Sequence, residues 1–156
     1  MCEHEGTITI SDDDKDISAI SPGGFVEISK TSFGNKRKIR IEHANGGLKK
    51  EYYVSRQKVE WEPEGRKWLS EVLLEVIRST SFGAESRVQR FYKNGGVEAV
   101  FNEIELIESD YVKSIYASIF LERNELNKSE LVQVLRGISN EIDSDYYLSN
   151  ILKDKI

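Results

Sequence analysis

The chain has 156 residues, of which 38% are hydrophobic, 31% charged and 10% aromatic, and its formal net charge is -5. That length suits one domain or two small layers, the apolar content excludes disorder as a reading of the whole, and the acidic balance excludes a chain devoted to neutralising phosphates. A single cysteine, Cys2, excludes an intramolecular disulfide, and no apolar run reaches the length that spans a bilayer.

Cys2 follows Met1 directly. A lipoprotein trimmed of its signal begins at cysteine, so a lipid anchor at Cys2 is one expectation, set against an ordinary residue near a chain end. Thr7 to Ile10 alternates polar and apolar and reads as a strand. Asp12, Asp14 and Asp16 have the spacing that opens many calcium loops, but the pattern then fails. An EF-hand loop would need glycine where Ile17 stands and glutamate where Gly23 stands, so a solvated acidic turn is expected and no metal ion.

Ser21-Pro22-Gly23-Gly24 suits a turn, because proline presets φ and glycine accepts the positive φ that follows. Phe25, Val26 and Ile28 then read as a strand, as does Lys38 to Glu42 with Ile39 and Ile41 on one face. Asn45-Gly46-Gly47 joins that strand to Leu48–Val54 in a hairpin, and Arg56-Gln57 is expected to close a further turn into Val59 and Trp61. The result is an antiparallel meander of about four to six short strands. Between Lys30 and Lys58 this segment carries nine basic residues against Glu42 and Glu51. With Phe33, Tyr52 and Tyr53 interleaved, it could offer a stacking platform to single-stranded nucleic acid or an anionic surface. Alternation instead predicts a half-solvated strand, with Ile39 and Ile41 inward and Lys38 and Arg40 outward, and no specific nucleic-acid partner.

Pro63 marks a change of period. Trp68, Leu69, Val72, Leu73, Val76 and Ile77 recur at three- and four-residue spacings, which predicts a helix over 63–79 that covers the sheet. A short helix from Ala84 should stop near Gly95-Gly96, and another should carry Val97, Val100, Phe101 and Ile104. Ile107-Glu108-Ser109-Asp110-Tyr111 then returns 35 residues later as Ile142-Asp143-Ser144-Asp145-Tyr146, with Val97 matched by Val132 and Val100 by Leu135. An offset of this size marks helix-turn-helix repeats. Ser109 and Ser144 suit helix N-caps, each Tyr is expected to bury its ring with its hydroxyl wet, and Asn127 with Glu130 forms a capping box ahead of Leu131, Val134, Leu135 and Ile138.

The chain is therefore read as α+β, an antiparallel β-meander over 1–61 packed on an all-α helix-hairpin repeat segment over 62–156. The combination of Asp12-Asp13-Asp14, Ile20-Ser21-Pro22-Gly23-Gly24-Phe25, Glu64-Gly65-Arg66-Lys67-Trp68-Leu69, the glycine pair before Val97 and the two Ser-Asp-Tyr elements resembles a bacterial module without an assigned activity. That module is attached to membrane-embedded peptidases of the antirepressor type and occurs in adhesin-like proteins. The resemblance spans nearly the whole chain and implies an extracytoplasmic module facing peptides or proteins, with a cytoplasmic placement as the alternative. The peptidase chemistry does not carry over, since His4-Glu5 has no second histidine four residues on.

His4 and His43 are the only histidines, so neither a zinc triad nor a nucleophile-histidine-acid set is visible, and no enzyme activity or cofactor is expected. The leading expectation is a protein-interaction or structural module, and the alternative is a small-molecule or surface-ligand binding domain of an adhesin-like or sensor protein. In a solenoid each helix pair is covered by the next, and the last pair here has no successor. Tyr146, Tyr147, Leu148, Ile151 and Leu152 are therefore the candidate interaction surface, for another protein or for self-association.

Overall fold

The computed structural model describes residues 1–153. Seven strands come first: β1 (Cys2–Glu5), β2 (Ile8–Ile10), β3 (Ile17–Ile20), β4 (Phe25–Ser32), β5 (Asn35–Ala44), β6 (Gly47–Val54) and β7 (Gln57–Val59). Five helices follow: α1 (Arg66–Ser79), α2 (Ala84–Glu105), α3 (Asp110–Arg123), α4 (Lys128–Glu141) and α5 (Asp145–Lys153). The fold is α+β, with strands giving way to helices at the change of period. The compact units divide later, after Ile77, so most of α1 belongs with the sheet and the second unit starts at Arg78.

In the first unit an antiparallel sheet runs in the order β1-β4-β5-β6-β7, and β2 pairs with β3 as a separate hairpin. The meander holds from β4 to β7, while β1 pairs with the free edge of β4. One sheet face is dry: Val26, Ile28, Ile39 and Ile41 are at most 1% exposed, and Tyr52 is buried with them. Trp68, Leu69, Val72, Leu73 and Ile77 of α1 are buried too, with the Trp68 ring 6.1 Å from that of Tyr52. The four isoleucines of the β2–β3 hairpin, Ile8, Ile10, Ile17 and Ile20, are likewise buried, and β3 lies against β5 and β6. Dispersion and desolvation over this face supply most of what holds the unit together.

Helix α1 begins at Arg66 and not at Pro63. Residues Trp61–Gly65 form a separate wide turn in which Glu62 is extended, φ -93° and ψ 136°, because a proline ring disfavours helical backbone in the residue before it. The acidic turn is anchored by charge at one position. Asp16 accepts from Lys50 Nζ at 3.3 Å and from Arg66 Nη1 at 3.2 Å, which ties the β2–β3 hairpin to the sheet and to α1.

In the second unit α2 is interrupted at Gly96, whose φ of 68° and ψ of -157° separate two helical segments at the expected glycine pair. The capping box of α4 is present, with Asn127 Oδ1 accepting from Glu130 N at 2.8 Å and Glu130 Oε1 accepting from Asn127 N at 3.3 Å. Ser109 caps α3 by accepting from Val112 N. Val88, Val100, Ile104, Tyr116, Phe120, Val134, Ile138 and Ile151 form one core. Helix α4 approaches closely at Gly137, where a Cβ would lie 2.5 Å from the Phe101 ring.

This core contains a charge cluster. Arg87 is 0% exposed and Glu103 6%. Glu103 accepts from Arg87 Nη2 at 2.8 Å and from Arg78 at 2.8 and 3.1 Å, while Arg87 Nη1 donates to Tyr116 Oη at 2.6 Å. Burial alone would raise the Glu103 carboxyl, but the two guanidiniums outweigh it and hold the group below its ordinary value. The helical periodicity at Arg87 and Glu103 gives no hint of such burial.

Candidate interaction surface

The repeat brings its two Ser-Asp-Tyr elements together. Ser144 N donates to Asp110 Oδ2 at 2.9 Å, so the start of α5 is fastened to the start of α3. Their isoleucines, Ile107 and Ile142, are each 1% exposed, as equivalent positions should be. The tyrosines that follow depart from expectation. Tyr111 is 53% exposed and Tyr146 69%, so the rings stand out of the core and do not enter it. The physical reason is that each occupies the first turn of its helix, where Val112 and Tyr147, one residue on, take the inward position. Tyr111 lies 5.8 Å from Tyr147, and Tyr147 lies 5.2 Å from Tyr146 in an edge-on arrangement. The three rings form a continuous aromatic patch.

The five residues expected to form one surface are thus divided. Ile151 is 3% exposed and is core, and Tyr147 and Leu148 are half-buried against that core. Tyr146 and Leu152 face solvent. Helix α4 adds exposed apolar groups that the proposed repeat matching did not foresee. Val132 and Leu135 are 41% and 40% exposed, whereas their matched positions Val97 and Val100 are buried. The matching therefore holds at the helix starts and fails along α4.

On the first unit, the sheet face opposite the dry one carries alternating charges. Glu27 meets Lys38 and Arg40, Glu42 meets Arg40 and Lys49, and Glu51 meets Lys49 and Lys58. Glu51 also accepts from Tyr53 Oη, and together with Lys58 and Lys49 that hydrogen bond pulls its carboxyl down to about 2. Lys38 and Arg40 point outward as alternation requires. The aromatic platform does not form, because Tyr52 is buried in the dry face while its neighbour Tyr53 lies on the open one.

Two hairpin turns stand at one end of the sheet. Phe33 and Gly34 join β4 to β5 with φ of 51° and 78°, and Ser55 and Arg56 join β6 to β7 with φ of 50° and 72°. The second turn falls one residue earlier than expected, since Gln57 already pairs with Val54. Phe33 is 103% exposed. Beside it, Lys30, Ser32, Asn35, Arg37, Trp68, Glu71 and Val72 line an open cleft of about 340 Å³.

The remaining candidates have structural surroundings. His43 Nδ1 donates to the Ile20 carbonyl at 2.8 Å, and His4 lies in β1 opposite Val26. Asp13 accepts from Ser11 Oγ and Lys15 N, which closes the acidic turn on itself. Among the described residues no cluster of three His, Cys, Asp or Glu side chains could hold a metal ion, and no helix is long and apolar enough to cross a membrane. Cys2 is half-buried in β1 opposite Ile28, and burial pushes its thiol up to about 11.

Comparison with protein-family models, with curated proteins and with solved structures finds no match to this chain.

Proposed function

We propose that the chain is a non-enzymatic protein-interaction module, extracytoplasmic as its sequence resemblance implies, that takes its partner through the aromatic patch of the helical unit. The observation that carries this reading is the clustering of the Tyr111, Tyr147 and Tyr146 rings at the surface, two of them more than half exposed. Tyrosine offers a large contact area with few rotatable bonds and a hydroxyl that stays paired when water is expelled, so it is enriched where proteins dock. The partner is a protein surface of apolar and aromatic character, and a second copy of the chain is the simplest such surface. A lipid anchor at Cys2 is less compatible with the geometry, because its thiol is half-buried and its strand is paired within the sheet.

The test is sedimentation across a concentration series, comparing the parent with a Tyr146→Ser, Leu152→Ser double variant. Both positions are exposed, so the fold should survive, whereas Ile151 must be left intact. The parent should gain mass with concentration and the variant should not. A parent that remains monomeric throughout, or a variant that associates equally well, would overturn docking through this patch. The open cleft beside Phe33 favours the alternative, a small-molecule or surface-ligand binding domain, and saturable uptake of a small ligand abolished by Trp68→Ala in a folded chain would support it.

A further inference from the structure

We propose that the apex of the β4–β5 hairpin is a docking site for an anionic lipid surface, with the Phe33 ring entering the headgroup layer and Lys36, Arg37 and Arg56 meeting lipid phosphates. This concerns the first unit and is independent of the aromatic patch on the second.

Phe33 occupies the first central position of a two-residue turn at φ 51°, where asparagine or glycine is preferred, and its ring is fully exposed. It therefore combines an unfavourable backbone conformation with an apolar side chain that no described residue covers. The charges show a matching contrast. Along the open sheet face, Lys38, Arg40, Lys49 and Lys58 each meet a carboxylate, and Lys30 meets Glu75. At the apex Lys36, Arg37 and Arg56 are exposed and have no carboxylate partner among the described residues. On a chain of net charge -5, the uncompensated cations of this end gather around one exposed ring.

The backbone sets their heights. Pairing of β5 with β6 ends at Arg37 opposite Val54, but β4 and β5 continue through Thr31 opposite Lys36 to Ser32 opposite Asn35. The hairpin thus overhangs its neighbour by two residue pairs, or about 7 Å. Ser55 N donates to Lys36 O at 2.9 Å, which holds the second turn against the base of the first and brings Arg56 beside Lys36, Lys38 and Tyr53. A convex apolar tip with a cationic collar some way below it suits a surface that deforms around the tip and presents phosphates at its boundary. An acidic protein would instead need a preformed pocket for the ring.

Co-sedimentation of the full chain with vesicles tests this, using phosphatidylcholine alone and an equal mixture of phosphatidylcholine and phosphatidylglycerol. Binding should require phosphatidylglycerol and fall with added salt. Phe33→Asn should weaken it about tenfold while leaving the circular dichroism unchanged, since asparagine suits the turn. The combined Lys36→Gln, Arg37→Gln and Arg56→Gln change should weaken it about a hundredfold. Equal binding to phosphatidylcholine alone, or full binding by the folded Phe33→Asn variant, would overturn the proposal. So would salt-sensitive binding of a polyglutamate peptide without vesicle binding, which would assign the site to an acidic protein.

Discussion

Replacing Glu103 by glutamine separates charge from shape in the core of the helical unit. The carboxylate accepts three hydrogen bonds, two at Oε1 from Arg78 and Arg87 and one at Oε2 from Arg78 Nη2. A glutamine oxygen can keep the first two, but its amide nitrogen then faces Arg78 Nη2 donor to donor at the 3.1 Å position. Arg87, at 0% exposed, loses the carboxylate charge 2.8 Å away, whereas Arg78 is 28% exposed on its side chain and stays in contact with water. Removing one member of a buried pair costs about 3–5 kcal/mol, and the partial exposure of Arg78 places this case near 3 kcal/mol. Urea unfolding of the whole chain, followed by helical circular dichroism, reads the loss directly. Acid provides a second reading. The folded carboxyl titrates below its ordinary value of 4.5, so its contribution is complete above that pH and is lost as pH falls through the lower folded value. The gap between parent and variant should therefore be constant near neutrality and narrow on acidification below 4.5. A gap under about 1 kcal/mol at pH 7, or one that ignores acid, would refute the assignment of Glu103 as the neutralising group.

Leu73→Ala removes a side chain that is 0% exposed on the face of α1 turned to the first-unit core, and should cost about 2–5 kcal/mol in the same assay. A loss under about 0.5 kcal/mol would place that face outside the core. Gly137→Ala sets two effects against each other: helix propensity gains about 1 kcal/mol, but the new methyl lies 2.5 Å from the Phe101 ring and overpacking costs about 1–3 kcal/mol. A net loss of about 1 kcal/mol is expected, and a raised melting temperature would show that Phe101 moves freely.

Periodicity carried the fold where side chains repeat over several turns or pleats. The stripe from Trp68 to Ile77, the alternation around Ile39 and Ile41, and the Asn127–Glu130 box all have local physical causes, and each stands where the spacing puts it. Strand β1 was not legible because Cys2–Glu5 is short and polar, and its pairing with β4 is a property of distant chain. The turns at Phe33-Gly34 and Ser55-Arg56 were missed or shifted because Phe33, Ser55 and Arg56 are not residues such turns favour. At the candidate surface, the repeat located the junction of α3 and α5 but not which side chains face water. Tyr111 and Tyr146 repeat with their isoleucines, yet a first-turn position faces outward or inward according to the helix it meets. The burial of Arg87 and Glu103 was invisible for the same reason, since their partners lie on other elements or 16 residues away.

The alternating ion pairs of the open sheet face also discriminate against misfolded registers. A one-residue slip of β6 along β5 would turn Tyr52 to water and Glu51 and Tyr53 inward, so the hydrophobic pattern already forbids it. A two-residue slip preserves inside and outside, and burial alone would tolerate it. From the native partners Arg40 with Glu51 and Glu42 with Lys49, a slip one way sets Glu42 opposite Glu51, and a slip the other way sets Arg40 opposite Lys49. Either places like charges directly across a strand pair. The paired charges thus work as a vernier on the apolar pattern, distinguishing the alignments that hydrophobic burial leaves nearly degenerate while the sheet assembles.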